Sequence, residues 1–133
     1  MQVKDGMSKV ILAVGPSHTL REAARKMTEK GTGAALVLDE ESPAPRIITE
    51  RDILNSVGRG EDPDSEQVAG HMAERVIAAQ PDWSLERAAV EMSRRGIRHL
   101  VVYDNAEVVG VLSMRDIVRC WTEEGATSGM TPD

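Results

Sequence analysis

Thr49-Glu50-Arg51-Asp52-Ile53-Leu54 recurs, altered but in the same order, as Ser113-Met114-Arg115-Asp116-Ile117-Val118. Each copy follows a short apolar run, Arg46-Ile47-Ile48 in the first and Gly110-Val111-Leu112 in the second. A hydroxyl followed three residues later by a carboxylate marks a helix start, because the two side chains satisfy backbone N–H groups left open in the first turn. Occurring twice, the pattern is more than a cap. Two equivalent helix N-termini, each with a carboxylate and a guanidinium, suit paired sites for a phosphorylated, sugar-containing ligand.

Working outward, the match covers most of the chain. Val3 and Met7 correspond to Val68 and Met72, Pro16 to Pro81, Thr19-Leu20 to Ser84-Leu85, and Ala23-Ala24 to Ala88-Ala89. Met27 then matches Met92, Gly31 matches Gly96, and Asp39 matches Asp104. The offset is 65 residues up to that point and 64 at Asp52 and Asp116, so one extra residue lies in the Glu40–Pro45 segment. A register held this long identifies an internal repeat.

Each repeat reads as strand, helix, strand, strand, helix, after a lead of about one helical turn (Val3 to Met7; Val68 to Met72, with Ser65 as a candidate cap). The first strands are expected at Val10 to Val14 and Val76 to Ala79. In the helix that follows, Thr19 and Glu22 form a capping box, and Leu20, Ala23, Ala24 and Met27 share one face. Ser84, Leu85, Ala88, Ala89 and Met92 repeat the pattern, with Trp83 placed to staple over Ala88. Gly31 and Gly96 stand where a left-handed cap ends a helix. The hairpins follow: Ala34 to Leu38 with Arg46 to Thr49 across a loose Glu40–Pro45 loop, and His99 to Tyr103 with Val108 to Ser113 across a tight turn at Asp104-Asn105-Ala106-Glu107. The last helices are expected to stop at Gly58 and Gly125. The resulting division is 1–58 for the first repeat, 59–67 as a polar connector, 68–125 for the second repeat and 126–133 as a frayed tail. A repeat of about 60 residues buries little core alone, so the expectation is one α/β (α+β) domain of two halves packed by pseudo-two-fold symmetry.

Composition narrows the function. The formal charge of −6 disfavours nucleic acid, which needs a basic face. With Trp83, Tyr103 and Trp121 the only aromatics, the core must come from Val, Ile, Leu, Ala and Met. Cys120 is the single cysteine, read as a buried small hydrophobe, and no Cys/His spacing resembles a zinc site, so no metal is expected. His18 and His71 show no convergent partners in the sequence. The apolar run Val10 to Val14 is too short to span a bilayer and no signal segment is evident; a cytoplasmic protein without membrane association is expected. No nucleophile–base pair or Gly-rich phosphate loop is present, so the chain is read as a non-enzyme with no catalytic residues and no cofactor.

This duplicated pattern resembles the CBS-domain pair, or Bateman module, across residues 1–122, carried by the two leads, Pro16 and Pro81 with Thr19-Leu20 and Ser84-Leu85, Gly31 and Gly96, and the two Ser/Thr-x-Arg-Asp stretches. The resemblance implies two β-α-β-β-α CBS repeats in a stand-alone protein that binds an adenosine-containing ligand such as AMP, ADP or ATP in clefts between the repeats. It also implies a regulatory role, a homodimer, and an unidentified regulated protein. By position it gives Asp52 and Asp116 to the ribose hydroxyls, where a carboxylate suits a vicinal diol. Thr49 and Ser113 fall beside the sugar or phosphate. Leu12-Ala13, Ile77-Ala78, Gly33-Ala34-Ala35 and Arg98-His99-Leu100 fall where the family contacts adenine, and Arg51, Arg115, Arg98 and His99 are candidates for phosphate. Arg46 stands where the second repeat and the family have glycine (Gly110), which predicts unequal sites. The alternative is an interaction or dimerisation module with vestigial clefts.

Overall fold

A computed structural model describes residues 1–123; the expected helix stop at Gly125 and the 126–133 tail lie outside them. The described chain packs into two units, residues 11–76 and residues 1–10 together with 77 onward. Each contains one three-stranded sheet with helices against it.

In the 11–76 unit, β1 (Ala13–Val14) pairs parallel with β2 (Ala34–Asp39), which pairs antiparallel with β3 (Ser42–Thr49). The connection from β1 to β2 is α2 (Leu20–Lys30), and α3 (Glu50–Gly58) follows β3 without a break. The other unit repeats this with β4 (Ala78–Ala79), α4 (Leu85–Arg95), β5 (His99–Asp104), β6 (Glu107–Ser113) and α5 (Met114–Glu123). The strand, helix, strand, strand, helix order is therefore as expected, and α3 stops at Gly58. The first strands are shorter than their apolar runs: only two residues of each find ladder partners, and Val10 is 74% exposed.

Local chemistry explains the helices. Glu22 N–H donates to Thr19 Oγ1 at 3.1 Å and Thr19 N–H donates to Glu22 Oε1 at 3.3 Å, closing the capping box; such a cap contributes about 1 kcal/mol. The Thr19 N–H first, then the Thr19 hydroxyl donating to Glu22 Oε1 at 3.1 Å, hold the Glu22 carboxyl below its ordinary value of 4.5. Ser84 Oγ accepts from Arg87 N–H at 3.0 Å. Both helices end in a left-handed glycine, Gly31 (φ 65°) and Gly96 (φ 64°), where a Cβ would be strained. Leu20, Ala23 and Met27 face one core with Val14, Ala35, Val37, Ile48 and Val68. Leu85, Ala88 and Met92 face the other with Leu100, Val102, Leu112, Ile117 and Cys120. Trp83 packs at the edge of that core, and its ring carries the Arg87 guanidinium 3.9 Å from the centroid.

Two details differ from the sequence expectation. The second hairpin makes its expected tight turn, Asn105-Ala106 between Asp104 and Glu107, but the first, expected to be loose, turns as tightly through Glu40-Glu41 between Asp39 and Ser42. The extra residue of the first repeat is absorbed in the strand: the register slips between Val37↔Arg46 and Asp39↔Ser42, so β3 bulges through Pro43-Ala44-Pro45. A proline lacks the ladder N–H, but β3 is an edge strand of its sheet and tolerates two. Ser65 is not a cap. It donates to Asp62 Oδ2 at 3.1 Å, while Gln67 precedes the short 3₁₀ turn Val68–Gly70.

The leads exchange partners. Val3, in α1 (Val3–Gly6), donates its N–H to Trp83 O at 2.8 Å, and Ser8 and Val111 bond reciprocally at 2.9 and 3.1 Å. Val3 is thus core of the second repeat's unit. Val68 N–H donates to His18 O at 2.8 Å and Ala73 N–H to Ile47 O at 2.8 Å, so Val68 is core of the first repeat's unit. Apolar leads of nearly the same spelling fit either place, and chain order does not say which.

Candidate functional site

The strand-to-helix junction after β3 positions the first set of residues. Thr49 pairs with Ala34 across the ladder, and Glu50 N–H donates to Gly33 O at 2.9 Å, which joins the start of α3 to the start of β2. Thr49 N–H donates to Asp52 Oδ2 at 2.8 Å, and Thr49 Oγ1 lies 3.2 Å from the same oxygen. One carboxylate oxygen is therefore engaged in the cap. On β1, Ala13 pairs with Leu36, and Leu12 O accepts from Leu36 N–H at 2.9 Å. Ala34 and Ala35 are buried, so they can offer backbone alone; Ala13 and Arg51 are exposed and Leu12 is half-buried.

The second set is built the same way. Ser113 pairs with His99, and Met114 N–H donates to Arg98 O at 2.9 Å. Ser113 N–H donates to Asp116 Oδ2 at 2.8 Å and Asp116 N–H to Ser113 Oγ at 3.0 Å. Ala78 pairs with Val101, whose N–H donates to Ile77 O at 3.0 Å. Leu100 is fully buried and supplies core, with only its backbone available. Arg98 and Arg115 are exposed and His99 is half-buried beside Ser113.

The junctions differ around this shared plan. Asp116 Oδ1 accepts from Arg119 Nη1 at 3.2 Å, and Arg119 Nη2 donates to Gly6 O at 3.1 Å. The residue in Arg119's place after Asp52 is the uncharged Asn55. Arg119 was missed in sequence, although its spacing from Asp116 is the i, i+3 spacing of helix ion pairs. Arg46 and Gly110 occupy the same place in their ladders, opposite Val37 and Val102. Gly110 is required where it is: a Cβ there would lie 2.8 Å from both Met7 Sδ and Ser8 O.

A further cluster was also missed. His71, whose side chain is only 8% exposed, lies 2.8 Å from Glu66 Oε1 through Nε2. Glu61 Oε1 accepts from Ser56 Oγ at 2.8 Å and from Arg59 Nη2 at 3.0 Å. The Ser56 bond first, then Arg59, holds the Glu61 carboxyl below its ordinary 4.5. The ligand-type atoms of Glu61, Glu66 and His71 fall within 4.8 Å of one another. Glu61 pins the connector to the buried Ser56 and Glu66 pins it to His71, which is a structural use of all three.

The CBS-domain family model matches residues 2–59 and 66–123. The chain belongs to the CBS-domain family. Among its relatives, the CBS domain-containing protein YhcV of Bacillus subtilis is 32% identical over 97% of this chain and 92% of its own length. MK0525 of Methanopyrus kandleri is 33% identical over 82% of this chain, which spans only 57% of that relative. A solved CBS-domain protein, PAE2072 of Pyrobaculum aerophilum complexed with AMP, is 30% identical with a TM-score of 0.79, covering 96% of this chain and 99% of that one. The tandem CBS repeat with its mixed α/β fold is thereby established.

Proposed function

We propose that this CBS pair is a regulatory module that binds an adenosine-containing ligand, AMP or a relative of it, through Asp52 and Asp116. The observation that carries the reading is the duplicated junction: in both repeats a capped aspartate stands at a helix N-terminus, beside the first residues of the central strand. The cap fixes each carboxylate and leaves lone pairs on it, and a ribose diol donates to those. The helix N-terminus favours an anionic group nearby. That PAE2072, similar along nearly its whole length, is complexed with AMP supports the ligand class.

The second repeat is the stronger candidate for phosphate, since Arg98 and His99 stand where the first has Gly33 and Ala34. Leu12-Ala13 and Ile77-Ala78 are assigned to the adenine face, and Arg51 and Arg115 to phosphate. No role in the reading requires bond-making chemistry; output passes to a partner chain or through self-association. Leu54 and Val118, equivalent positions on α3 and α5, are 70% and 51% exposed, which favours pairing of two copies through these helices.

The test is a titration of the purified protein with AMP, ADP, ATP, S-adenosylmethionine and NADH, followed by melting temperature and by calorimetry. We expect at least one adenosyl compound to raise the melting temperature, with saturable binding that D52A/D116A abolishes. A flat response across the whole panel sinks the reading. If D52A/D116A also leaves self-association intact while no ligand binds, the dimerisation role stands by itself.

A further inference from the structure

The two aspartates are equivalent by position, and Asp116 is tied through Arg119 to a distant part of the chain. Arg119 bridges: Nη1 donates to Asp116 Oδ1 at 3.2 Å and Nη2 to Gly6 O at 3.1 Å, across 113 residues of sequence. Gly6 lies against α5 so tightly that a Cβ on it would sit 2.8 Å from Cys120 Sγ. Its carbonyl is the last group of α1 before Met7 and Ser8 run on to meet Val111. In the first repeat the place of Arg119 belongs to Asn55 and that of Gly6 to His71, whose imidazole turns to Glu66.

We propose that Arg119 is a positioning residue that couples ligand occupancy at Asp116 to the docking of residues 1–10 on the second repeat. A guanidinium is rigid and planar, so holding Gly6 O with one nitrogen fixes the direction from which the other approaches Asp116. The lead in place therefore holds the carboxylate in the rotamer that receives a ribose, and a bound ribose holds the lead in place. Linkage makes the two effects equal in size. The coupled lead, residues 1–10, is the regulated element of this module.

This inference rests on the adenosine reading for its ligand, but not for the tether. The first measurement is a double-mutant cycle without ligand: amide hydrogen exchange in residues 3–8 of the wild type, D116N, R119N and D116N/R119N. Both single variants are expected to exchange faster there and the double variant no faster than R119N alone. Additive acceleration overturns the tether. The second measurement adds AMP. It should slow exchange in residues 3–8 of the wild type and of D52A, and leave R119N unchanged; R119N should bind at the second repeat about fivefold more weakly. R119K should not restore the protection, because a single ammonium lacks the fork that spans both partners. If AMP binds and the lead does not respond, the coupling is overturned. If nothing in the panel binds while the ligand-free cycle is non-additive, the adenosine reading fails and the tether stands.

Discussion

The corner where a lead segment meets the last helix is closed in two chemically opposite ways. In the unit of the second repeat it is small and apolar: Gly6 lies on buried Cys120, with Arg119 across the top. In the unit of the first repeat the same places hold His71 and buried Ser56, and the connector brings Glu61 and Glu66 to them. One backbone plan thus accepts either close packing or a hydrogen-bonded cluster. The lesson is that a repeat preserves the frame and lets the joints diverge, so the equivalence of Asp52 and Asp116 holds for their caps and ends at their neighbours.

The sharpest way to break the comparison is to exchange Gly110 and Arg46. G110R drives a side chain into Met7 and the Ser8 carbonyl, so it should destabilise by about 3 kcal/mol or more. R46G, at the same ladder place, should cost less than about 1 kcal/mol. Denaturant unfolding of the two variants measures the difference, and equal losses would show that the leads load both sheets alike. Next in size is G6A, whose Cβ meets Cys120 Sγ at 2.8 Å. A loss of about 1–2 kcal/mol is expected, and C120A should recover a good part of it by making room, visible as a non-additive double-mutant cycle in the same unfolding experiment.

How much of this was legible beforehand follows a physical line. Caps and helix stops were readable because Thr19 and Glu22, or Ser113 and Asp116, interact within one turn, and sequence spacing is then spatial spacing. The repeat itself was readable from register. The partner of each lead was not, since Val3 and Val68 present nearly the same apolar pattern to nearly the same surface. The bulge through Pro43 and Pro45 was hidden because proline normally argues for a loop, and only edge position excuses it. His71 was unreadable for a third reason: its partner Glu66 lies on a connector whose polar composition looks merely solvated. For the candidate site, residue types came from the motif, whereas Arg119 needed the fold to bring Gly6 to it.

The smallest expected effect concerns acid. Glu22 and Glu61, both in the 11–76 unit, have folded pKa values below the ordinary 4.5. A depressed carboxyl contributes stability that is fully present above its unfolded value and is lost as pH falls through the lower folded value. Acid should therefore loosen the 11–76 unit first, from about pH 4.5 downward. Trp83 and Trp121 both lie in the other unit, so far-UV circular dichroism should move before tryptophan fluorescence. In S56A, which removes the largest cause of the Glu61 shift, the gap between the two titrations should narrow.

The exchange of leads also sets an order of assembly. Residues 11–76 are continuous, so that unit has every piece it needs while the chain behind it is still being made. The other unit draws on both ends of the described chain: its first core residue is Val3 and its last is Cys120. It cannot be completed until almost the whole sequence is present, and its opening ten residues must wait. Folding the middle first shortens that wait in space, since it replaces a long loose loop with a compact insert between the two ends. A truncation at the N-terminus is consequently a lesion in the second repeat, the half of the sequence farthest from the cut.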